Sequence, residues 1–306
     1  MSPRGLNAAG PTDHTRTTTG SAAVVDVPAS FESGTVRTND VETYYVRGGD
    51  GPAIVFVHGA IVDHRMWGPQ LAALHDAYTV VAYDVRGHGR TGGSTRESYT
   101  VADYVADLDA LLAALDVERA VLCGLSLGGC IAQAYAATHP EQVAGLVLAD
   151  TFTTAPLGPT GRLLFANLRL FAALDRVVGY RRLNRLQLRV GQRLKPGVAG
   201  DGATIQRLID EGPTIPHAEF RKIVGSIVAF PRSDFDPAHI EATTTVLYGA
   251  NEPSLIREHA TFLRDRISGV VLVVELADAG HASNLDRPAA FTDAVRDLAE
   301  EAFGSD

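Results

Sequence analysis

Ala120-Val121-Leu122-Cys123-Gly124-Leu125-Ser126-Leu127-Gly128-Gly129 runs apolar residues straight into a serine set between glycines, and a helix-forming stretch, 127–138, follows without a gap. The pattern predicts a buried strand, a sharp turn and a helix. A turn that tight forces the serine backbone into a strained conformation, so the positions two before and two after it must lack a Cβ, and Gly124 and Gly128 do. The hydroxyl is thereby raised into solvent at a helix N-terminus, where unpaired amides and the helix dipole favour the negative charge that develops when a carbonyl is attacked. Alone, Gly-x-Ser-x-Gly fits a plain helix N-cap as well as a nucleophile, and the surrounding segments decide between them.

Upstream, residues 34–47 are β-rich and break at Asn39-Asp40, as an antiparallel hairpin does. Residues 53–57, 78–83, 120–123 and 143–148 are unbroken apolar runs, which mark strands buried on both faces of a parallel sheet. Helical spacing over 66–74, 101–115 and 127–138 separates them. The rhythm resumes with a strand at 245–248, a helix at 255–267, a strand at 270–276 and a helix at 288–303. The alternation predicts an α/β fold, a mostly parallel, doubly wound sheet with helices on both faces. Residues 151–234 break it with four helical stretches, 161–178, 180–194, 203–211 and 217–230, and read as a helical lid inserted after the sixth strand. Ligands bind beyond the carboxyl ends of strands in open α/β sheets, so a lid there would shape the pocket, and Phe165, Phe171, Leu186 and Phe230 are expected to govern substrate choice. The expected division is a disordered tail at 1–23, a core in two parts at 24–150 and 235–306, and a helical cap at 151–234.

A chain of 306 residues can bury a sizeable core, and a formal net charge of -9 argues against a nucleic-acid partner. Cys123 and Cys130 fall in the strand and helix flanking Ser126, as reduced core residues would. With no stretch of the length of a signal peptide or a membrane span, a cytoplasmic protein acting on a small molecule is expected. The inserted helices are strongly basic: between 161 and 195, eight arginines and Lys195 stand against Asp175 alone. A solvated face or ion pairs with the acidic remainder is the simplest account. Attraction of an anionic substrate or of a membrane surface is the sharper one.

Two further segments supply what a nucleophilic serine needs. Val55-Phe56-Val57-His58-Gly59-Ala60 is a buried strand ending in a tight loop. An oxyanion requires two backbone N–H donors, one from the residue after the nucleophile, Leu127, and one from the loop after an earlier strand, for which Ala60 is the candidate. His58 is expected to brace that loop. Ala279-Gly280-His281-Ala282 follows the last strand, placing His281 as the general base in the chain order serine, acid, histidine. Tyr248-Gly249-Ala250-Asn251-Glu252-Pro253 ends the strand before it, so Glu252 is the favoured acid, with Asp150 at the end of the sixth strand as the alternative. Asp278 and Asp286 read as loop caps.

These motifs, together with Asp84-Val85-Arg86-Gly87-His88-Gly89, resemble the α/β-hydrolase fold superfamily over roughly 34–303. The elbow and lid are similar to those of small esterase and enol-lactonase-like members, and Glu252 stands where such proteins more often carry aspartate. The resemblance implies a cofactor-free serine hydrolase of esters or lactones. A carbon–carbon bond hydrolase, an acyltransferase, or a sensor that binds without turnover would share the scaffold. Gly87-His88-Gly89-Arg90-Thr91-Gly92 formally matches a dinucleotide fingerprint, but no apolar helix opens after it, and no metal-ligand spacing occurs.

Overall fold

The computed structural model describes residues 26–194 and 202–304, so the expected tail at 1–23 and Lys195 lie outside the described residues. The described residues open with the antiparallel hairpin β1 (Glu32–Thr38) and β2 (Val41–Gly48), turned at Asn39 with φ +54°. It continues through β3 (Ala53–Val57), α1 (Gly68–Leu74), β4 (Thr79–Tyr83), α2 (Val101–Ala114), β5 (Ala120–Leu125), α3 (Leu127–Thr138) and β6 (Val143–Ala149). Four helices intervene, α4 (Pro159–Val178), α5 (Tyr180–Leu194), α6 (Gly202–Glu211) and α7 (His217–Ala229). The chain then returns to β7 (Thr244–Gly249), α8 (Ser254–Arg266), β8 (Val271–Leu276), α9 (Ser283–Asp286) and α10 (Pro288–Phe303).

The eight strands form one sheet in the order β1-β2-β4-β3-β5-β6-β7-β8, antiparallel only where β2 meets β1 and β4. Every residue of β3, β4, β5, β6 and β7 is buried, which is why those segments carry unbroken apolar runs rather than alternation. Helices α2, α3 and α8 cover one face and α1 and α10 the other. Fully burying a side chain such as Phe56, Ile54 or Phe291 contributes roughly 1.5–3 kcal/mol. α2 starts where Thr100 and Asp103 cap each other's backbone amides, so the chain after β4 runs as a loop through 84–99 before any helix begins.

Parallel register brings the strand ends together. Leu125 pairs with Ala149, Ala149 with Leu247, and Gly249 with Leu276, while Val57 lies beside Gly124. The ladder continues past the strands: Ser126 N–H donates to Ala149 O, Asp150 N–H to Leu247 O, and Asn251 N–H to Ala279 O, each at 2.9 Å. The inserted helices lie over this same carboxyl edge. Arg65 of the loop after β3 donates to Leu208 O at 3.1 Å, and Lys222 of α7 donates to Ser94 O at 2.7 Å in the loop after β4. Tyr99 OH also donates to Glu219, and Ile223 packs at Gly87.

Candidate active site

Ser126 has φ +56° and ψ -113°, a strained conformation for a residue with a side chain, and its hydroxyl makes no capping hydrogen bond to α3. The flanking glycines are imposed by contact. A Cβ at Gly124 would lie 2.2 Å from Gly128 O, and one at Gly128 would lie 2.0 Å from Val57 O. Strand, turn and helix therefore touch backbone to backbone at this elbow. Thr151 secures the turn from below, its hydroxyl donating to Ser126 O at 2.7 Å.

His281 reaches the serine across 155 residues of sequence, its Nε2 lying 3.1 Å from Ser126 Oγ. On the other side of the ring, Nδ1–H donates to Glu252 Oε1 at 2.6 Å, so that in the neutral ring Nε2 is the nitrogen that accepts from the hydroxyl. The histidine side chain is 53% exposed while that of Glu252 is 4% exposed, so one edge of the ring faces solvent and the other faces a buried carboxylate. Withdrawal from bulk water works against the imidazolium, but the charge and hydrogen bond of Glu252, with help from Asp150 and Asp286, prevail and raise the His281 pKa to about 9.

Asp150 lies in the same cluster without touching the ring. It is fully buried with φ +46°, and its two oxygens accept from Gly249 N–H at 3.0 Å and Ser283 N–H at 3.1 Å. Burial, and then the neighbouring Glu252, push its carboxyl well above the usual carboxylate range. Of the two acids considered from sequence, the hydrogen bond to the imidazole belongs to Glu252. Asp150 instead joins the segment that precedes Glu252 to the segment that follows His281.

Leu127 follows the serine directly, and Ala60 follows Gly59, where a Cβ would lie 3.5 Å from Ser126 Cβ. Among the described residues, no acceptor occupies either amide N–H. His58 is buried and braces the loop: Val85 N–H donates to its Nε2 at 2.9 Å, and its Nδ1 donates to Gly59 O at 2.7 Å. Burial lowers its pKa, which keeps the ring neutral. Asp286 caps the histidine loop by accepting from Gly280 N–H at 2.7 Å, whereas Asp278 is exposed, 3.8 Å from Arg287.

The 84–92 segment is a structural loop. Asp84 accepts from His64 N–H, the His64 ring and Arg90 N–H at 2.7–2.9 Å. Buried Arg86 makes two 2.7 Å hydrogen bonds to Asp107 and one ion pair to Asp40 at 2.6 Å. Asp63, His64 and Asp84 turn ligand-type atoms toward one another, but Arg65 already takes both oxygens of Asp63 and His64 takes Asp84. Cys123 and Cys130 are free and buried, and burial drives both thiols upward from their ordinary range.

Several contributors carry no sequence signal of their own. Thr151 is visible only as the residue after a strand. Asn284, buried in α9, donates its side-chain amide to Met66 O at 2.9 Å and accepts, through its main-chain carbonyl, from Gln70 at 3.0 Å. Among the expected substrate-selecting residues, Leu186 is 57% exposed on the outer side of α5 and does not face the interior. Phe165 and Phe230 pack against Phe152, and Phe171 against Phe220. A cavity of about 350 Å³ opens beside α4, lined by Phe165, Val228, Arg162, Arg169 and Arg232, and none of Ser126, His281 or Glu252 borders it.

Residues 52–288 match the alpha/beta hydrolase fold family. The chain belongs to that family. It is 27% identical over 274 residues to 3-oxoadipate enol-lactonase 2 of Acinetobacter baylyi, covering 88% of this chain and 97% of the relative. Among solved structures, a thermophilic esterase from Thermogutta terrifontis superposes with a TM-score of 0.71 at 25% identity, covering 89% of this chain and 99% of the esterase. The enol-lactonase from Burkholderia xenovorans gives 0.68 at 27% identity, with 87% and 99% covered. This α/β-hydrolase contains no helix, among its described residues, long and apolar enough to cross a membrane.

Proposed function

We propose that the protein hydrolyses a small or medium carboxylic ester or lactone through an acyl-enzyme on Ser126. The observation that carries this reading is the continuous relay from Ser126 Oγ to His281 Nε2, and from Nδ1 to Glu252, at a strained turn at the N-terminus of α3. Ser126 Oγ attacks the carbonyl carbon while its proton passes to His281 Nε2, and the Ala60 and Leu127 amides receive the oxyanion. Glu252 steadies the imidazolium. Collapse breaks the bond to the alkoxy group, which takes the proton from Nε2; in a lactone it stays tethered to the acyl chain. Water, deprotonated by the same nitrogen, then releases the acid and returns the proton to Ser126.

In this reading residues 24–150 and 235–306 form the catalytic core, residues 151–234 act as its cap, and a small cytoplasmic metabolite is the substrate. The enol-lactonase and esterase relatives supply the bond type. Turnover of p-nitrophenyl butyrate and of a five-membered lactone tests the reading. Ser126→Ala is expected to lower kcat by about three orders of magnitude or more and to abolish labelling by a fluorophosphonate. Equal turnover by the variant removes the serine from the mechanism.

A further inference from the structure

Exposed large apolar side chains concentrate on two consecutive helices: Leu163, Leu170, Leu174 and Val177 on α4, and Leu186 and Val190 on α5. Apart from Val178 beside them, the others among the described residues are Val270 and Leu272, at the edge of the sheet. Leu163 is 72% exposed and Val177 85%. Scattered surface leucines need no explanation, but a continuous stripe does. Positions 163, 170 and 177 recur every two helical turns and 174 falls between them, so they lie along one side of a helix about 30 Å long. The opposite side of α4, carrying Gly161, Phe165 and Asp175, is already buried. This helix is therefore apolar on two sides and covered on one.

The charges beside the stripe are of one sign. Arg162, Arg169 and Arg176 repeat at the same spacing one residue earlier, forming a row along its flank, and Arg182, Arg189 and Arg193 are exposed on α5. The single carboxylate of the two helices, Asp175, is buried, accepting from Tyr180 N–H and pairing with His217, both at 2.6 Å. Arg185 is neutralised by Asp210 at 2.9 Å, but among the described residues no carboxylate lies within ion-pair distance of Arg169 or Arg176. A chain with a net charge of -9 thus presents an apolar strip fringed by unneutralised arginines.

We propose that the outer face of α4 and α5 docks on an anionic lipid surface. α4 lies in the plane of the headgroups, with its leucine stripe dipping toward the acyl boundary and its arginine row on the lipid phosphates, in the manner of a basic amphipathic helix. Charge selects this occupant over a second copy of the chain. Two α4 helices meeting antiparallel across a two-fold axis would bring arginine row against arginine row, whereas lipid phosphate complements it. The proposal concerns a surface away from Ser126 and stands independently of the hydrolytic reading.

Co-sedimentation of the full-length protein with vesicles of phosphatidylglycerol and phosphatidylcholine, or of phosphatidylcholine alone, tests it, with light scattering of the free protein alongside. Binding is expected on the anionic vesicles and is expected to fall by about tenfold or more on neutral vesicles, at high salt, and in both Leu163→Asp/Leu170→Asp and Arg169→Glu/Arg176→Glu. Both variants are expected to keep wild-type thermal melting and short-chain ester turnover, so a lost vesicle interaction cannot be ascribed to unfolding. Absence of binding to anionic vesicles, equal binding to neutral ones, or unaltered binding by folded variants overturns the proposal. So does a wild-type dimer that the leucine variant converts to monomer, which would give the face to a second copy.

Discussion

The 2.6 Å contact between Glu252 and His281 Nδ1 governs how readily the ring takes a proton. In the proposed mechanism the base must be neutral, and its pKa is raised to about 9, so the fraction of competent enzyme grows as pH rises through that value. The ascending limb of kcat/KM against pH is therefore expected on the alkaline side of an ordinary histidine. Glu252→Gln should move that limb down toward about 6.5, the unperturbed value, and lower the rate by roughly 10²–10⁴-fold. A limb that stays in place would detach the acid from the ring. Ser126 and His281 were legible in the sequence because a glycine-flanked turn and a strand end restrict where their side chains can go. The acid was legible only as a pair of choices. Both neighbouring strands end in a carboxylate, and which oxygen meets the imidazole depends on loop conformations beyond the reach of residue order.

At the scale of elements, the elbow is held by the contact of β5, α3 and β3 rather than by helix or strand propensity. Gly124→Ala would place a methyl group against the Gly128 carbonyl, and a backbone atom has no rotamer into which it can retreat. A loss of about 1–3 kcal/mol is expected from this overpacking, read as a lowered melting temperature, with fluorophosphonate labelling falling in the fraction that remains folded. Unchanged melting and labelling would mean that the turn tolerates a Cβ. The helices and strands of the core were readable because periodicity and unbroken apolar runs report burial directly. The single helical turn at His64–Trp67 was not, since four residues capped by Asp63 carry no period. Leu186 was expected among the residues that govern substrate choice, yet it faces outward: a helix with apolar residues on more than one side does not announce which side its neighbours cover.

Across the whole molecule, Arg86 ties distant parts of the core together. Its guanidinium is fully buried and joins the hairpin turn through Asp40 and α2 through Asp107, which is itself 3% exposed. Removing it would strand the Asp107 carboxylate, so Arg86→Ala is expected to cost about 3–5 kcal/mol in chemical denaturation. Arg86→Lys should recover only part of that, because an ammonium cannot make the paired contact of the guanidinium fork. A stability equal to wild type in the alanine variant would show that the cluster adds nothing. Its pairing was invisible in the sequence, where Asp40, Arg86 and Asp107 are simply three charges spaced far apart.

Asp150 has a wider consequence. The segment bearing Glu252 and the segment bearing His281 hang from the two oxygens of one side chain, at Gly249 and Ser283. Neither can drift without pulling on the other, so the alignment of Glu252 with His281 is inherited from a shared anchor, and gradual warming should leave them aligned until the anchor itself lets go.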